Sequence, residues 1–197
     1  MILRTATALL GAGVLYGCAA VTGGQVATSD TYELAVPQVS QDSAVRRGVQ
    51  ILIPEPTALK AVDSENIVIK TDPLIIQYLN EAQWSDRLPK LVQRRLADGF
   101  SNSGRFNGVG LPGQGLAIDY QVVTEIRAFA VDATSGRAEV EISAKLLDDR
   151  NGTIVANRLF TASAPVAGSG NRAFIGALDQ AFAQVADDMV GWVTGRI

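Results

Sequence analysis

Apolar and polar positions alternate most regularly from Ala138 to Leu147, AEVEISAKLL. A period of two over ten residues predicts a strand with one dry face and one wet face. Alternating stretches flank it on both sides, Leu116 to Val131 before it and Thr153 to Ala164 after it. Asp148-Asp149-Arg150-Asn151-Gly152 separates the last two and reads as a hairpin turn. The three stretches together predict an antiparallel meander. Shorter β-branched or alternating runs precede them: Thr31 to Val36, Arg47 to Ile53, Asn66 to Lys70, Leu74 to Leu79 and Phe106 to Val109. Pro37, Pro54-Glu55-Pro56 and Asp72-Pro73 punctuate these runs as loops or turns.

Two stretches change to a helical period. Ser85 or Asp86 is placed to open the first, with Pro89 tolerated in its first turn. Leu88, Leu91, Val92, Leu96 and Phe100 fall on one face, Lys90, Gln93, Arg94 and Asp98 on the other, and Gly99 and Gly104 mark its end. The second helix follows the loop Val166 to Asn171 and carries Phe174, Leu178, Phe182, Val185, Met189 and Val193 as its stripe. Ala177 and Ala181 on that helix suit close approach to a sheet. The expected fold is a single α+β domain, a mostly antiparallel sheet with two main helices packed on one face.

The amino terminus has a different pattern. Arg4 is followed by an uncharged, mostly apolar run from Thr5 to Tyr16, which Gly17 and Cys18 close. A charged start, a short apolar core and small residues at a cut are the parts of an export signal. The run is too short to span a bilayer as a helix, which takes about 20 residues. Leu15-Tyr16-Gly17-Cys18 resembles the bacterial lipobox, with Tyr16 bulkier than the residue usual there. That resemblance implies cleavage before Cys18 and a diacylglycerol thioether on its sulfur, with an acyl group such as palmitate on the new amino terminus. Residues 1–17 are then the signal peptide, 18–30 a lipidated tether of small and polar residues, and 31–197 the exported, periplasmic domain.

Composition removes several function classes. Hydrophobic residues are 47% and charged ones 19%, as in a globular chain. The net charge is −3 with no long basic run, which argues against nucleic-acid binding. Cys18 is the sole cysteine, so the chain has no internal disulfide, and histidine is absent altogether. A Ser-His-Asp triad, a Cys-His pair, His-liganded zinc and thiolate metal sites are all excluded. The reading is therefore of a non-enzymatic protein whose only prosthetic group is the covalent lipid on Cys18.

Four patterns still invite chemistry. Gly108-Val109-Gly110-Leu111-Pro112-Gly113 matches GxGxxG, but a strand-like segment follows where a dinucleotide site needs a helix start. Asn151-Gly152-Thr153 matches a glycosylation sequon and reads better as the hairpin turn. The acid pairs Asp148–Asp149 and Asp187–Asp188 read as solvated charge, because adjacent carboxylates on a helix or at a turn tip do not share a cleft. Tyr78, Trp84 and Trp192 lie at element ends; they read as core plugs or, alternatively, as a partner-contact patch.

From Gln83 to Gly110 the chain reads QWSDRLPKLVQRRLADGFSNSGRFNGVG. This segment is similar to the signature of the ABC-type transport auxiliary lipoprotein family, with an aromatic before the helix, a Leu-Pro helix start and a Gly-Arg-Phe exit. Tyr32-Glu33-Leu34 resembles the family's first strand, and Asp119 to Phe129 and Val140 to Asp149 resemble its central strands. The resemblance implies an adaptor anchored on the periplasmic face of the outer membrane, with the MCE-domain protein of an ABC phospholipid transporter as its partner. Ala19, and not Asp, follows Cys18, which accords with outer-membrane sorting. Homo-oligomerisation into a ring would suit a conduit, although no residue requires it. The alternative function is regulation or assembly of another envelope machine, such as peptidoglycan synthesis.

Overall fold

The three alternating stretches do form a meander, and the rest of the sheet is built on its first strand. The computed structural model describes residues 29–40 and 46–197. Among them, in chain order, are β1 (Asp30–Tyr32), β2 (Arg46–Leu52), β3 (Thr57–Ala58), β4 (Asn66–Asp72), β5 (Ile75–Trp84), α1 (Leu88–Asn102), β6 (Phe106–Gly110), β7 (Tyr120–Asp132), β8 (Arg137–Asp148), β9 (Thr153–Pro165) and α2 (Asn171–Thr194). The signal segment, Cys18 and the tether up to residue 28 lie outside the described residues.

β7, β8 and β9 pair antiparallel along almost their whole lengths. Val122, Ile126, Val140, Ile142 and Leu146 are fully buried on the dry face of β7 and β8. The free side of β7 is taken by three shorter strands, all parallel to it. β2 meets Tyr120 and Gln121, β3 meets Glu125 and Ile126, and β4 meets Ala130 to Asp132. β6 then extends the sheet from β2, also in parallel, while β5 pairs antiparallel with β4 and carries β1 in parallel. The sheet is thus mixed and mostly antiparallel, as expected in its main part: the longest ladders are antiparallel and five short ones are parallel. Alternation reports the two faces of a strand and carries no information on its partner's direction.

α2 lies across β7, β8 and β9, and α1 packs between α2 and β6. The α1 stripe is as expected, with Leu88, Leu91, Val92, Leu96 and Phe100 all buried. Its limits differ from the expected ones. The helix starts at Leu88 behind Arg87, whose side chain makes no cap, and it runs through Gly99 to Asn102. Gly99 does not end the helix but lies where the 29–40 segment crosses it: a Cβ there would make ordinary van der Waals contact, 3.5 Å from Val39 Cγ1 and 3.7 Å from Pro37 Cβ. In α2, Leu178, Phe182, Val185, Met189 and Val193 are buried, Ala177 and Ala181 pack against the sheet side as expected, and Phe174 is only partly covered.

Aromatic contacts tie the layers together. Trp84 on β5 meets Phe129 on β7 edge-on, with centroids 5.9 Å apart and an interplanar angle of 84°. Phe129 in turn lies 6.0 Å from Phe182 on α2. Phe100 on α1 contacts Phe106 on β6 at 5.5 Å, and Trp192 on α2 contacts Phe160 on β9 at 5.6 Å. Such pairs add roughly 0.5–1.5 kcal/mol beyond their buried area.

Candidate docking surfaces and family

The patterns singled out for chemistry resolve into structural roles. Gly108 and Gly110 belong to β6 and pair with Gln50 and Leu52 of β2. A turn and an irregular stretch follow, not a helix, so no helix N-terminus faces a phosphate. A Cβ on Gly110 would fall 2.5 Å from Leu116 Cδ1, so that exposed side chain would have to swing aside to accept one. Asn151 and Gly152 form the β8–β9 turn: the Asn151 side-chain oxygen accepts from the Thr153 backbone N–H at 2.9 Å and its hydroxyl at 2.6 Å. Gly152 takes φ +71°, a backbone shape that a glycine adopts without strain.

The acid pairs do local work. Asp148 accepts from Arg150, and this arginine holds the Asp148 carboxyl below its ordinary value. Asp149 accepts from the Gln121 side chain. Asp187 does more than the solvated charge expected of it. Its two oxygens accept from the Ser40 backbone N–H at 2.7 Å and the Ser40 hydroxyl at 3.1 Å. Two turns earlier on α2, Asp179 accepts from the Ala35 N–H at 2.7 Å. Arg95 on α1 donates to the Leu34 carbonyl at 2.6 Å and pairs with Glu33 at 3.0 Å. Arg105 donates to the Ser40 carbonyl. The 29–40 segment is therefore strapped over both helices, with Leu34 and Pro37 buried beneath it. These partners are distant in sequence, and no local pattern around Asp187 signals the contact.

The three aromatics separate. Trp84 is 1% and Trp192 8% exposed, so both are core plugs and neither supplies a contact surface. Their position at element ends reflects the layer junctions that they fill. Tyr78 is 47% exposed on β5. It belongs to an apolar surface within what reads by pattern as an ordinary strand, in which Leu74 is 93%, Ile75 49% and Ile76 52% exposed. Leu74 follows the Asp72-Pro73 turn, where the Asp72 carboxylate accepts from the Leu74 N–H at 2.9 Å. The signal for it was present as Leu74-Ile75-Ile76, three consecutive apolar residues with no polar alternation.

Two further surfaces are open. Among the described residues β9 pairs only with β8, leaving a long sheet edge on which Ile154, Val155 and Leu159 are exposed. A shallow cleft of about 720 Å³ lies between β1 and the start of α2, lined by Asp30, Tyr32, Arg172 and Asp179 among others. Its walls hold charges of both signs and no buried nucleophile. Among the described residues, no group of three or more acidic residues could hold a metal ion. No helix among them is long and apolar enough to cross a membrane.

Comparison with known proteins agrees with this geometry. The model of the ABC-type transport auxiliary lipoprotein component family matches residues 32–190, from β1 to the last turns of α2. An uncharacterized protein of Bradyrhizobium diazoefficiens is 34% identical over 186 residues, covering 91% of this chain and 49% of its own length. The chain thus spans about half of that relative. The crystal structure of a Xanthomonas campestris protein superposes with a TM-score of 0.76 at 28% identity, over 84% of this chain and 96% of the other. A second crystal structure, of an uncharacterized protein, gives 0.68 at 15% identity over 84% of this chain and 99% of the other, a likeness of fold alone. The match runs through the β5–α1–β6 segment that first suggested it and through the sheet and helices around it, and on that ground the chain belongs to the ABC-type transport auxiliary lipoprotein component family.

Proposed function

We propose that the chain is an exported lipoprotein, cut before Cys18 and anchored by lipid on that residue at the periplasmic face of the outer membrane. It serves there as the non-enzymatic adaptor of an MCE-type ABC phospholipid transporter and contributes to upkeep of the envelope. The observation that carries this reading is the family match over residues 32–190, beginning a short tether's length after the Leu15-Tyr16-Gly17-Cys18 sequence. Lipid tails lose much hydrophobic stabilisation in crossing water, so a transport route needs a docking part at each membrane. A soluble domain on a tether supplies such a part. The free β9 edge and the well-packed core suit a module that binds and positions, since strand edges recruit partner chains through backbone hydrogen bonds.

The lipid anchor would hold by acyl chain burial, at roughly 0.8 kcal/mol per CH₂, and two or more chains give stable retention. The test is crosslinking in cells, followed by identification of the partner, together with fractionation of a Cys18→Ala variant. The expected outcome is an MCE-domain protein as the captured partner, and a variant that folds but leaves the membrane with transport impaired. Capture of a penicillin-binding protein and no MCE-domain protein would redirect the function to peptidoglycan synthesis. Normal membrane retention of Cys18→Ala would sink the anchor.

A further inference from the structure

The strand directions have the chain enter β1 from the side of the exposed apolar tip, with β1 itself lying beside the far part of β5. β1 runs parallel to β5, with Asp30 opposite Ala82 and Tyr32 opposite Trp84. β5 begins at the tip, at Ile75, and runs toward Trp84. Ser29 therefore lies on the tip side of Ala82. Ile75 to Ala82 spans about 20 Å at roughly 3.3 Å per residue. The stretch from Cys18 to Asp30 reaches up to about 40 Å when extended. The tether is thus long enough for a lipid on Cys18 to enter a bilayer that the tip also touches.

The chemistry of the tip suits the interfacial layer of a bilayer. Pro73 to Asn80, PLIIQYLN, contains no Asp, Glu, Lys or Arg. Leu74 is 93% exposed at its apex, with Ile75 and Ile76 behind it and Tyr78 one step further along the strand. An aliphatic apex backed by an amphipathic aromatic is the order in which side chains partition from acyl region to headgroups. The base is held firmly. Asn171, the first residue of α2, donates to the Asn80 carbonyl at 2.9 Å. The opposite end of the domain is formed by the β8–β9 turn at Asn151, about 40 Å away along the meander at roughly 3.3 Å per residue.

We propose that the β4–β5 tip, Leu74-Ile75-Ile76 with Tyr78, sits in the interface of the same bilayer that holds the lipid on Cys18, and so fixes the orientation of the domain. This rests on the anchor reading above. It turns the β8–β9 turn and the Leu111–Asp119 loop away from the membrane, toward a partner arriving across the periplasm. Lys70 stands opposite Ile76 and Asp72 opposite Ile75, so the charges flanking the tip are of both signs and binding there depends on apolar burial more than on anionic headgroups.

The experiment uses the full chain, expressed with its own export signal, with the lipid on Cys18 checked by mass. Thioether formation removes the native thiol, so a cysteine introduced as Leu74→Cys, or as Asn151→Cys for comparison, is the only reactive one. Each variant is labelled with an environment-sensitive fluorophore and reconstituted in phosphatidylcholine–phosphatidylethanolamine vesicles. The expected result is a blue shift and quenching by nitroxide-bearing lipid at position 74, with neither at position 151. A lipidated, vesicle-bound protein whose position 74 emits as in water overturns the tip proposal and leaves the anchor standing. Absence of lipid on Cys18 overturns both. A blue shift that rises with protein density but is insensitive to nitroxide lipid assigns the tip to a second copy of the chain, and overturns it as well.

Discussion

Asp187 of α2 grips Ser40 twice, through the backbone N–H at 2.7 Å and the side-chain hydroxyl at 3.1 Å. The contact joins residues 147 positions apart and closes the strap that starts at β1. Charge-assisted hydrogen bonds of this kind are worth about 1–3 kcal/mol each, less where water competes. Asp187→Ala is expected to cost about 1–2 kcal/mol of global stability by urea denaturation. It should also release the amides of residues 35–40 to faster hydrogen exchange. Unchanged protection of the Ser40 amide would show that the strap is held without Asp187.

Trp84 and Tyr78 are six residues apart on one strand and have opposite fates, one buried against Phe129 and the other 47% exposed. Trp84→Ala is expected to cost about 3–5 kcal/mol, the range for removing a large buried aromatic. Tyr78→Ala should fall within about 0.5 kcal/mol of the parent, as surface substitutions do. Denaturant titration of both variants checks the contrast. Equal losses would mean that Tyr78 is buried in solution by something that this chain alone does not contain.

How far these roles were legible depends on the range of the interaction. The β7–β9 meander, the α1 stripe and most of the α2 stripe follow from periods of 2 and 3.6, which are local properties of the chain. The β5 extension through Asn80 to Trp84 did not, because Asn80 and Glu81 interrupt the alternation. Register there slips between the Asn66–Gln83 and Val68–Tyr78 pairs, and Glu81 takes φ +56°. The first strand was expected to reach Val36 but ends at Tyr32, after which the chain leaves the sheet to cross the helices. Parallel pairing of β2, β3 and β4 with β7 is set by crossovers, and the strap by Asp179 and Asp187. None of these has a short-range signature. Residues 1–28, which include Leu15 to Cys18, lie outside the described structure, so the anchor rests on sequence.

Asp132 at the β7–β8 turn gives a pH prediction. Its carboxylate accepts from the Thr134 hydroxyl at 2.6 Å, the Ser135 hydroxyl at 2.8 Å and the Thr134 backbone N–H at 2.8 Å. The Thr134 and Ser135 side chains lead the causes that lower its pKa from 3.8 to about 2. Because the folded value is depressed, its contribution to the turn is fully present above the ordinary value and is lost as pH falls through about 2. A carboxyl carbon titration by NMR should place the Asp132 midpoint at about 2, below the ordinary value of 3.8. Thr134→Ala combined with Ser135→Ala should return it toward 3.8. A midpoint unaffected by the double substitution would mean that the two hydroxyls do not hold the carboxylate.

Glu81 is the single described non-glycine residue with positive φ, at +56°, and it sits in the β4–β5 bulge beside the Asn171–Asn80 hydrogen bond. A left-handed backbone costs a residue with a Cβ roughly 1–2 kcal/mol, and a β-branched side chain tolerates it least. Glycine removes that strain but adds chain entropy to the unfolded state, about 0.5–1 kcal/mol. Glu81→Gly should therefore leave stability unchanged or raise it by up to about 1 kcal/mol, while Glu81→Val should lower it by more than about 1 kcal/mol. Thermal or denaturant unfolding of the pair measures the difference. If the bulge relaxes in solution to an ordinary extended strand, the order reverses. Valine would then stabilise β5 and glycine weaken it, and the bend that sets the tip apart from the base of the sheet would be lost with it.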